Sequence, residues 1–336
     1  MNKLNNEICL VTGGAGFIGS HLVDQLIQCG AVVRVLDNLS NGAYANLQAH
    51  RASEKFQFIK GDVTDPLDVE RAMTGVSIVF HLACLGVRHS LTHPYENHRV
   101  NAEGTLLLLD AAYRHGIQRF IHCSSSEVYG TAEYVPMPET HPTHPCTIYG
   151  ASKLAGEAYA RAYRTTYKLP TIVIRPFNTF GPRSHHEGDA GEVIPKSIVR
   201  ALNGKNILVF GDGAQTRDFT YVEDTASAII TAAISDQLVG QTVNIGSRFE
   251  ISIKELAEML MELIANPEIR IEYLERRPGD VGRLFADPDK FSRLTNWKPK
   301  ISFREGLNRT IAYFRNHPMG YDTLLRQQQD RNWQIA

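Results

Sequence analysis

Tyr149 and Lys153 stand four positions apart in a segment with the composition of a helix. Side chains at this spacing share one face of a helix, so the lysine ammonium can lie beside the tyrosine hydroxyl. A neighbouring positive charge favours phenolate and lowers a tyrosine pKa from its usual value of about 10. The pair therefore predicts a general base. Surface helices also carry such pairs without function, so the spacing alone does not decide.

A second polar group, Ser125, Ser126 and Glu127, follows the apolar run 119–123. Parallel sheets place ligands at the carboxyl ends of their strands. A hydroxyl there can hydrogen-bond a substrate oxygen that loses its proton, and a carboxylate can exchange a proton with a neighbouring carbon or oxygen. A serine-rich turn without function is the alternative interpretation.

The third feature is a glycine-rich turn over 12–19, which follows the apolar run 8–11 and begins a helix at Phe17. Glycines at such a turn let the backbone approach a pyrophosphate and hold it at the amino terminus of the helix. The order strand, turn, helix and second strand favours this interpretation over a ligand-free turn. Together with the two polar groups, the turn predicts an enzyme that uses a dinucleotide.

Asp37 ends the second strand, where a carboxylate can accept hydrogen bonds from the adenosine ribose of NAD and would repel the 2′-phosphate of NADP. No Arg or Lys occurs in 38–46, so NAD is the predicted cofactor. Asp62 follows the third strand and could face the adenine, although an acidic residue that caps a turn is nearly as good an explanation. The predicted cofactor-binding residues are Gly13, Gly16, Phe17, Ile18, Gly19, Asp37, Asn38, Asp62, Val63, Ala83, Tyr149 and Lys153.

Short apolar runs alternate with amphipathic stretches through the first half of the chain, which is typical of strands and crossover helices in a parallel sheet. The predicted strands are 7–12, 31–36, 56–60, 77–82, 119–123 and 170–175, and helices begin near 17, 44, 66, 97 and 147. After Pro176 the alternation becomes irregular, with a strand at 242–245 and helices at 253–264 and near 303–315. The fold class is α/β: a Rossmann-type doubly wound parallel sheet with a smaller α/β substrate-binding lobe. We assign 1–176, with 218–246, to the cofactor domain and 177–336 mainly to the second lobe.

The charge balance, 35 Lys and Arg against 36 Asp and Glu, excludes a large positive field for nucleic acid or an anionic membrane. No apolar run is long enough to span a bilayer. The five cysteines form no Cys-x-x-Cys pair, and the thirteen histidines show no metal-ligand spacing. We therefore expect a cytoplasmic protein with free thiols and no metal.

These motifs resemble those of the extended short-chain dehydrogenase/reductase family, particularly its nucleotide-sugar epimerases, dehydratases and decarboxylases. The resemblance extends from the glycine turn to about Phe314. It implies that Ser125, Tyr149 and Lys153 take the family's catalytic Ser/Thr, Tyr and Lys roles. Asn101 matches the family's Asn-x-x-Gly-Thr segment, which supports the active-site architecture.

The resemblance also implies a nucleotide-diphosphate sugar as substrate. Separated arginines that converge on a pyrophosphate make charge-assisted, often bidentate hydrogen bonds. The pair His185 and His186 is expected near the sugar, although loop histidines are more often solvated. The predicted substrate-binding residues are Arg88 and Ser126 at the sugar, and Asn178, Arg183, Arg217 and Arg283, which follows the motif 277–280, at the nucleotide and its phosphates.

The resemblance implies that hydride leaves sugar carbon 4 while Tyr149 takes the hydroxyl proton, and that NAD is recycled. Glu127 then determines which reaction follows. As a base at carbon 5 it would drive loss of water, which gives a 4,6-dehydration, and we place this reaction first. dTDP-glucose dehydratases typically read Thr-Asp-Glu where this chain has Ser125, Ser126 and Glu127, which argues against dTDP-glucose. UDP-glucuronate decarboxylation and UDP-sugar 4-epimerisation stay open. Retention of Tyr149 and Lys153 argues against a catalytically silent NAD sensor.

We also expect a homodimer built on the helices 97–115 and 147–168, from the resemblance and because both segments are long and apolar. Soluble oligomers most often pair isologously in this way.

Overall fold

The computed structural model describes residues 2–277, 280–331 and 333. The strands are β1 (Ile8–Thr12), β2 (Val32–Asp37), β3 (Phe56–Lys60), β4 (Ile78–His81), β5 (Arg119–Cys123), β6 (Thr171–Pro176), β7 (Asn178–Phe180), β8 (Ile207–Phe210), β9 (Thr216–Tyr221), β10 (Thr242–Ile245), β11 (Glu250–Ser252), β12 (Ile271–Leu274) and β13 (Arg283–Leu284). The α-helices are α1 (Phe17–Gln28), α2 (Pro66–Met73), α3 (Val87–Thr92), α4 (Pro94–His98), α5 (Gly104–Arg114), α6 (Ile148–Tyr167), α7 (Val193–Leu202), α8 (Val222–Ile234), α9 (Ile253–Ile264), α10 (Asp289–Thr295), α11 (Phe303–Arg315) and α12 (Tyr321–Arg326).

Seven parallel strands form the central sheet in the order β10, β6, β5, β4, β1, β2, β3. One apolar cluster joins the sheet to α1 and α8, and a second joins its other face to α2, α5 and α6. Because both faces are covered, inner strands such as β1, β4 and β6 are buried along almost their whole length, whereas the edge strand β3 is partly exposed. The strand order reverses between β1 and β4, and in such sheets a crevice opens beyond the carboxyl ends at this point. The predicted Rossmann-type sheet is confirmed.

The smaller lobe is built around β9, which pairs in parallel with β7 and β13 and antiparallel with β11. A separate parallel pair joins β8 to β12. The helices α7, α9 and α11 pack on these strands around an apolar cluster that includes Phe219 and Phe303, whose rings stack 5.7 Å apart. Strand β10, although late in the sequence, extends the large sheet beside β6. The domain boundary at 176 stays a prediction.

Local sequence explains where several helices begin. Thr147 caps α6 by accepting a hydrogen bond from Gly150 N at 3.2 Å, and Ser252 forms a capping box with Glu255 at the start of α9. Two predicted helices differ from the structure. The segment near 44 forms a 3-10 helix (Tyr44–His50), and the one near 97 is a continuous helical run in which a π-helical turn (Arg99–Glu103) separates α4 from α5.

None of the helices in the described part of the chain is long and apolar enough to cross a bilayer.

Candidate active site

A cavity of about 620 Å³ lies beyond the carboxyl ends of the central strands and reaches into the smaller lobe. The glycine turn and Asp37 line one end, Tyr149 lines the middle, and Arg217 lines the other end. Every residue predicted to bind the cofactor or to act in catalysis lines this cavity. The sequence motifs therefore meet in one continuous space.

The turn before α1 fits an anionic pyrophosphate. Gly13 has φ +70°, and a Cβ there would lie 2.7 Å from Ala83 N. A Cβ on Gly19 would lie 2.1 Å from Gly13 O, so the helix packs directly on the turn. Gly16 precedes α1 and supplies no side-chain cap, which leaves the first N–H groups of the helix to a ligand.

Asp37 is buried at the end of β2. Its carboxylate accepts hydrogen bonds from Ala15 N at 2.9 Å and Leu39 N at 2.8 Å. Burial raises the pKa of Asp37, and these two hydrogen bonds oppose the effect. A fixed carboxylate at this point suits an unphosphorylated ribose.

Asp62 caps the turn after β3, as the alternative interpretation predicted, and it also lines the cavity. It accepts hydrogen bonds from Thr64 N at 2.8 Å and from Asn38 Nδ2 at 2.9 Å. Sequence reasoning missed Arg99, which lines the same end and donates to Thr64 Oγ1 at 3.1 Å. Arg99 is thus the cation that lines the end of the cavity formed by the glycine turn, Asp37 and Asp62, among the residues described there.

Helix α6 carries Tyr149 and Lys153 into the middle of the cavity. The Lys153 ammonium is buried and donates to Cys123 O at 2.6 Å. Burial raises the pKa of Tyr149 well above its usual value, and a hydrogen bond with the Ser125 hydroxyl opposes the rise. The pKa of Tyr149 is therefore raised, whereas the charge of Lys153 alone would lower it, because desolvation of the phenolate outweighs the favourable contacts.

Ser125 and Glu127 are held by a short 3-10 turn, Ser126–Val128, that follows β5. Ser125 Oγ accepts a hydrogen bond from Glu127 N at 3.2 Å. Burial raises the pKa of Glu127, and the positive charges of Arg217 and Arg277 counteract the rise. A carboxyl whose pKa is raised toward neutrality, beside a tyrosine, can exchange protons with a substrate.

Two arginines converge at the end opposite the glycine turn. Arg217 and Arg277 both donate to Asp280 Oδ1, at 3.0 Å and 2.9 Å. One carboxylate thus holds two guanidinium groups in the cavity wall. Arg277 and Asp280 were not among the predicted site residues, although both lie in the motif 277–280. The two middle residues of that motif, Pro278 and Gly279, lie outside the described residues.

Arg88, Ser126 and Asn178 also line this part of the cavity, as predicted from sequence. Arg88 Nε and Asn178 Oδ1 are buried without a hydrogen-bond partner among the described residues. Unpaired polar atoms at the wall of a cavity are available to a ligand. His185 lines the cavity as well, and its Nδ1 lies 3.0 Å from Glu187 Oε1.

Arg183 and Arg283 do not line the cavity. Arg183 forms an ion pair with Asp24 and donates to Asn46 O at 3.2 Å. Arg283 is half-exposed and pairs through both sides of its guanidinium with Glu250, at 2.6 Å and 2.8 Å. Each guanidinium is paired with a carboxylate outside the cavity that Arg217 lines. The roles of Arg183 and Arg283 at the phosphates stay predictions.

Sequence reasoning also missed several lining residues that belong to no motif. Glu192 precedes α7, and burial raises its pKa to about 7. Burial lowers the pKa of Lys196, one turn further, to about 8. Lys196, Arg200 and Phe210 line the cavity together with Glu192.

The sequence model of the family described as GDP-mannose 4,6 dehydratase matches residues 10–310. The chain is 37% identical to the UDP-glucose 4-epimerase of Mycolicibacterium smegmatis, over 91% of this chain and 98% of that protein. It is 36% identical to UDP-glucuronic acid decarboxylase 1 of Xenopus tropicalis, over 94% of this chain and 74% of that protein. A solved dTDP-glucose 4,6-dehydratase of Streptomyces venezuelae with NAD bound superposes with a TM-score of 0.87 at 32% identity, covering 94% of this chain and 99% of that one.

Proposed function

The chain belongs to the extended short-chain dehydrogenase/reductase family of NAD-dependent nucleotide-sugar epimerases and dehydratases, and from this premise we propose that it is a nucleotide-sugar 4,6-dehydratase. Bound NAD supplies the hydride acceptor for oxidation at sugar carbon 4 and is regenerated in the same cycle. The residues of the chain supply the proton transfers and hold the substrate.

Tyr149 accepts the proton of the carbon-4 hydroxyl in this proposal. Its hydrogen bond with Ser125 supports a shared role, because a hydroxyl at that position can also contact the substrate oxygen. Lys153 lies one helical turn further along α6 and is fully enclosed, so its charge acts through a medium that screens it poorly. In the proposed reaction this charge, together with the positive nicotinamide ring of bound NAD⁺, would oppose the rise in the pKa of Tyr149 that burial produces.

The observation that carries the choice of dehydration is Glu127, a carboxyl in the cavity wall with a pKa raised by burial. Oxidation at carbon 4 makes the carbon-5 proton acidic, and Glu127 removes it as hydroxide leaves carbon 6. Return of hydride to carbon 6 and of a proton, exchangeable with solvent, from Glu127 to carbon 5 completes a 4-keto-6-deoxy sugar. Simple 4-epimerisation needs no base at carbon 5.

Substitution Glu127→Gln tests this assignment, since it keeps size and hydrogen bonding but removes the base. With UDP-, GDP- and dTDP-sugars supplied in deuterated water, the wild-type product carries deuterium at carbon 5. The variant still reduces bound NAD⁺ but stalls before elimination, which is seen as persistent absorbance of NADH. A product of unchanged mass without deuterium at carbon 5 would exclude dehydration and favour 4-epimerisation.

Two other reactions of the same site have support from the relatives, which include a UDP-glucose 4-epimerase and a UDP-glucuronic acid decarboxylase. A decarboxylase would release carbon dioxide from a uronic acid, because a carboxylate β to the new ketone leaves readily. Ser126, where dTDP-glucose dehydratases typically have an acid, supports a substrate other than dTDP-glucose. A catalytically silent NAD sensor would need neither Tyr149 nor Lys153.

We also propose a homodimer through α5 and α6. These helices expose Leu106, Tyr113, Ile148 and Tyr167. The rings of Tyr113 and Tyr167 lie 5.0 Å apart and join the two helices into one apolar surface. Such a surface favours pairing with a second copy. The five cysteines are free thiols, which suits the cytoplasmic location that we propose.

A further inference from the structure

The residues 327–331 and 333 follow α12 and lie beyond residue 310, where the match to the family ends. We call them the tail. It contacts three parts of the cavity wall: the loop before α7, α7 itself, and the region of Phe210 and Arg277. These contacts are not accounted for by the proposed reaction.

The first group of contacts fixes the loop that leads into α7. Gly188 N donates to Gln327 O at 3.1 Å, and Gly188 forms a parallel β-bridge with Gln328. Gln328 Nε2 donates to Lys196 O at 3.3 Å. The cavity-lining residues 189–193 therefore lie between two points that the tail holds.

The second group engages two cations of α7 that line the cavity. Lys196 Nζ donates to Gln329 O at 2.6 Å and to Asp330 O at 3.2 Å. Arg200 pairs with the Asp330 carboxylate at 2.7 Å. The tail thus fixes the direction of both cationic side chains at the cavity wall.

The third contact is Trp333. Its ring meets the ring of Phe210 edge-on at 4.7 Å, and the Arg277 guanidinium carbon lies 5.8 Å from its centre. Phe210 and Arg277 both line the cavity, whereas none of the described tail residues does. Trp333 therefore supports the wall from behind and does not occupy the space of a ligand.

We propose that the tail is a positioning element for the nucleotide-diphosphate part of the substrate, in which Trp333 orients Arg277 and Phe210 and Asp330 orients Arg200. The inference rests on the proposed function, since it assigns this end of the cavity to the nucleotide. An indole behind a guanidinium restricts its rotation and leaves its edge to a charge-assisted bond with a phosphate. Preorganisation of this kind increases affinity by lowering the ordering cost of binding.

The test measures binding of UDP, GDP and dTDP by calorimetry to the NAD-loaded full-length protein and to two variants, Trp333→Ala and a chain that ends after Gln327. We expect the dissociation constant of the preferred nucleotide to rise by about tenfold or more in both variants. NAD affinity stays unchanged, because the glycine turn is distant from the tail. Trp333→Phe keeps an aromatic ring and restores most of the affinity. Met319→Ala, an exposed change just before α12, is the matched control and leaves binding unchanged.

A second measurement uses the fact that the chain has two tryptophans. Trp297 is buried and donates to Ser227 Oγ at 2.9 Å, in the larger lobe. In a Trp297→Phe protein the emission of Trp333 should change when the nucleotide binds. Equal nucleotide affinities with and without the tail, or tighter binding after its removal, would overturn the inference alone. Failure of the full-length protein to bind any of the three nucleotides would overturn the proposed function as well.

Discussion

The structure predicts a large loss of stability when Glu157, which lies close to the candidate active site, is substituted. It is completely buried on α6, one turn beyond Lys153. Its carboxylate accepts hydrogen bonds from Arg175 at 2.8 Å and 2.6 Å, from Ser124 Oγ at 2.6 Å and from Arg161 at 2.9 Å. Ser124 follows β5 and directly precedes Ser125, so this network fixes α6 against the ends of β5 and β6.

The change Glu157→Gln keeps the volume of the side chain and removes the negative charge. Arg175, whose side chain is 5% exposed, would then be a buried cation without a counter-ion. Breaking a buried pair from one side costs about 3 to 5 kcal/mol of unfolding free energy. The other partner gives a matched control, because Arg161 is 45% exposed and Arg161→Gln should cost at most about 1 kcal/mol.

Urea unfolding followed by circular dichroism measures both variants, with midpoints and slopes compared to wild type. Burial alone would raise the pKa of Glu157, but the bonds from Arg175 lower it below the usual value. A lowered pKa means that the stabilisation is present above the pKa of the unfolded chain and is lost as the pH falls through the folded value. The difference between wild type and Glu157→Gln should therefore shrink in acid. A loss below about 1 kcal/mol at neutral pH, or a difference that grows in acid, would refute the reasoning.

Three further predictions concern the site and the assembly. Tyr149→Phe should keep the fold and NAD binding but lower turnover by about a hundredfold or more, since only the ionisable oxygen is lost; near-normal turnover would remove the residue from its role. NAD should bind far more tightly than NADP because Asp37 meets the 2′-phosphate, and titration with both cofactors checks this; equal affinities would contradict the assignment. Light scattering at micromolar concentration should give the mass of a dimer, which a charge at Tyr113 or Tyr167 (Tyr→Glu) should reduce to a monomer; a monomeric wild type would contradict the pairing.

The cofactor half of the site was predictable because each motif sits where an apolar strand ends. The glycine turn, Asp37 and Ser125 all follow runs whose burial on both faces is evident in the sequence. The π-helical turn at 99–103 was not predictable from periodicity. Asn97 and Asn101 hold the backbone of Leu85 there, by long-range hydrogen bonds that no local pattern encodes.

The substrate half was harder because its short strands mix polar and apolar residues, and an arginine's direction depends on strand pairing. Arg283 is the register partner of Thr216 in the parallel pair β13 and β9. Both contact Glu250, on the face away from the cavity. Arg217 is next to Thr216 and therefore points to the opposite face, into the cavity. The sequence alone does not separate Arg217 from Arg283, and only the pairing of β9 with β13 shows which of the two faces the cavity.

The charges around Glu127 explain how one cavity can serve both binding and proton transfer. Arg217 and Arg277 share the single carboxylate of Asp280, which leaves positive charge for a diphosphate. The same two cations limit the rise in the pKa of Glu127 that burial produces. A base is most effective when its pKa lies close to the working pH, since it is then both ionised and strongly basic. In the proposed reaction a diphosphate would neutralise these arginines, so their influence on Glu127 should weaken and its pKa should move further upward. Binding of the nucleotide should then make the neighbouring Glu127 carboxylate a stronger base, which would link occupation of the nucleotide end to the proposed elimination step.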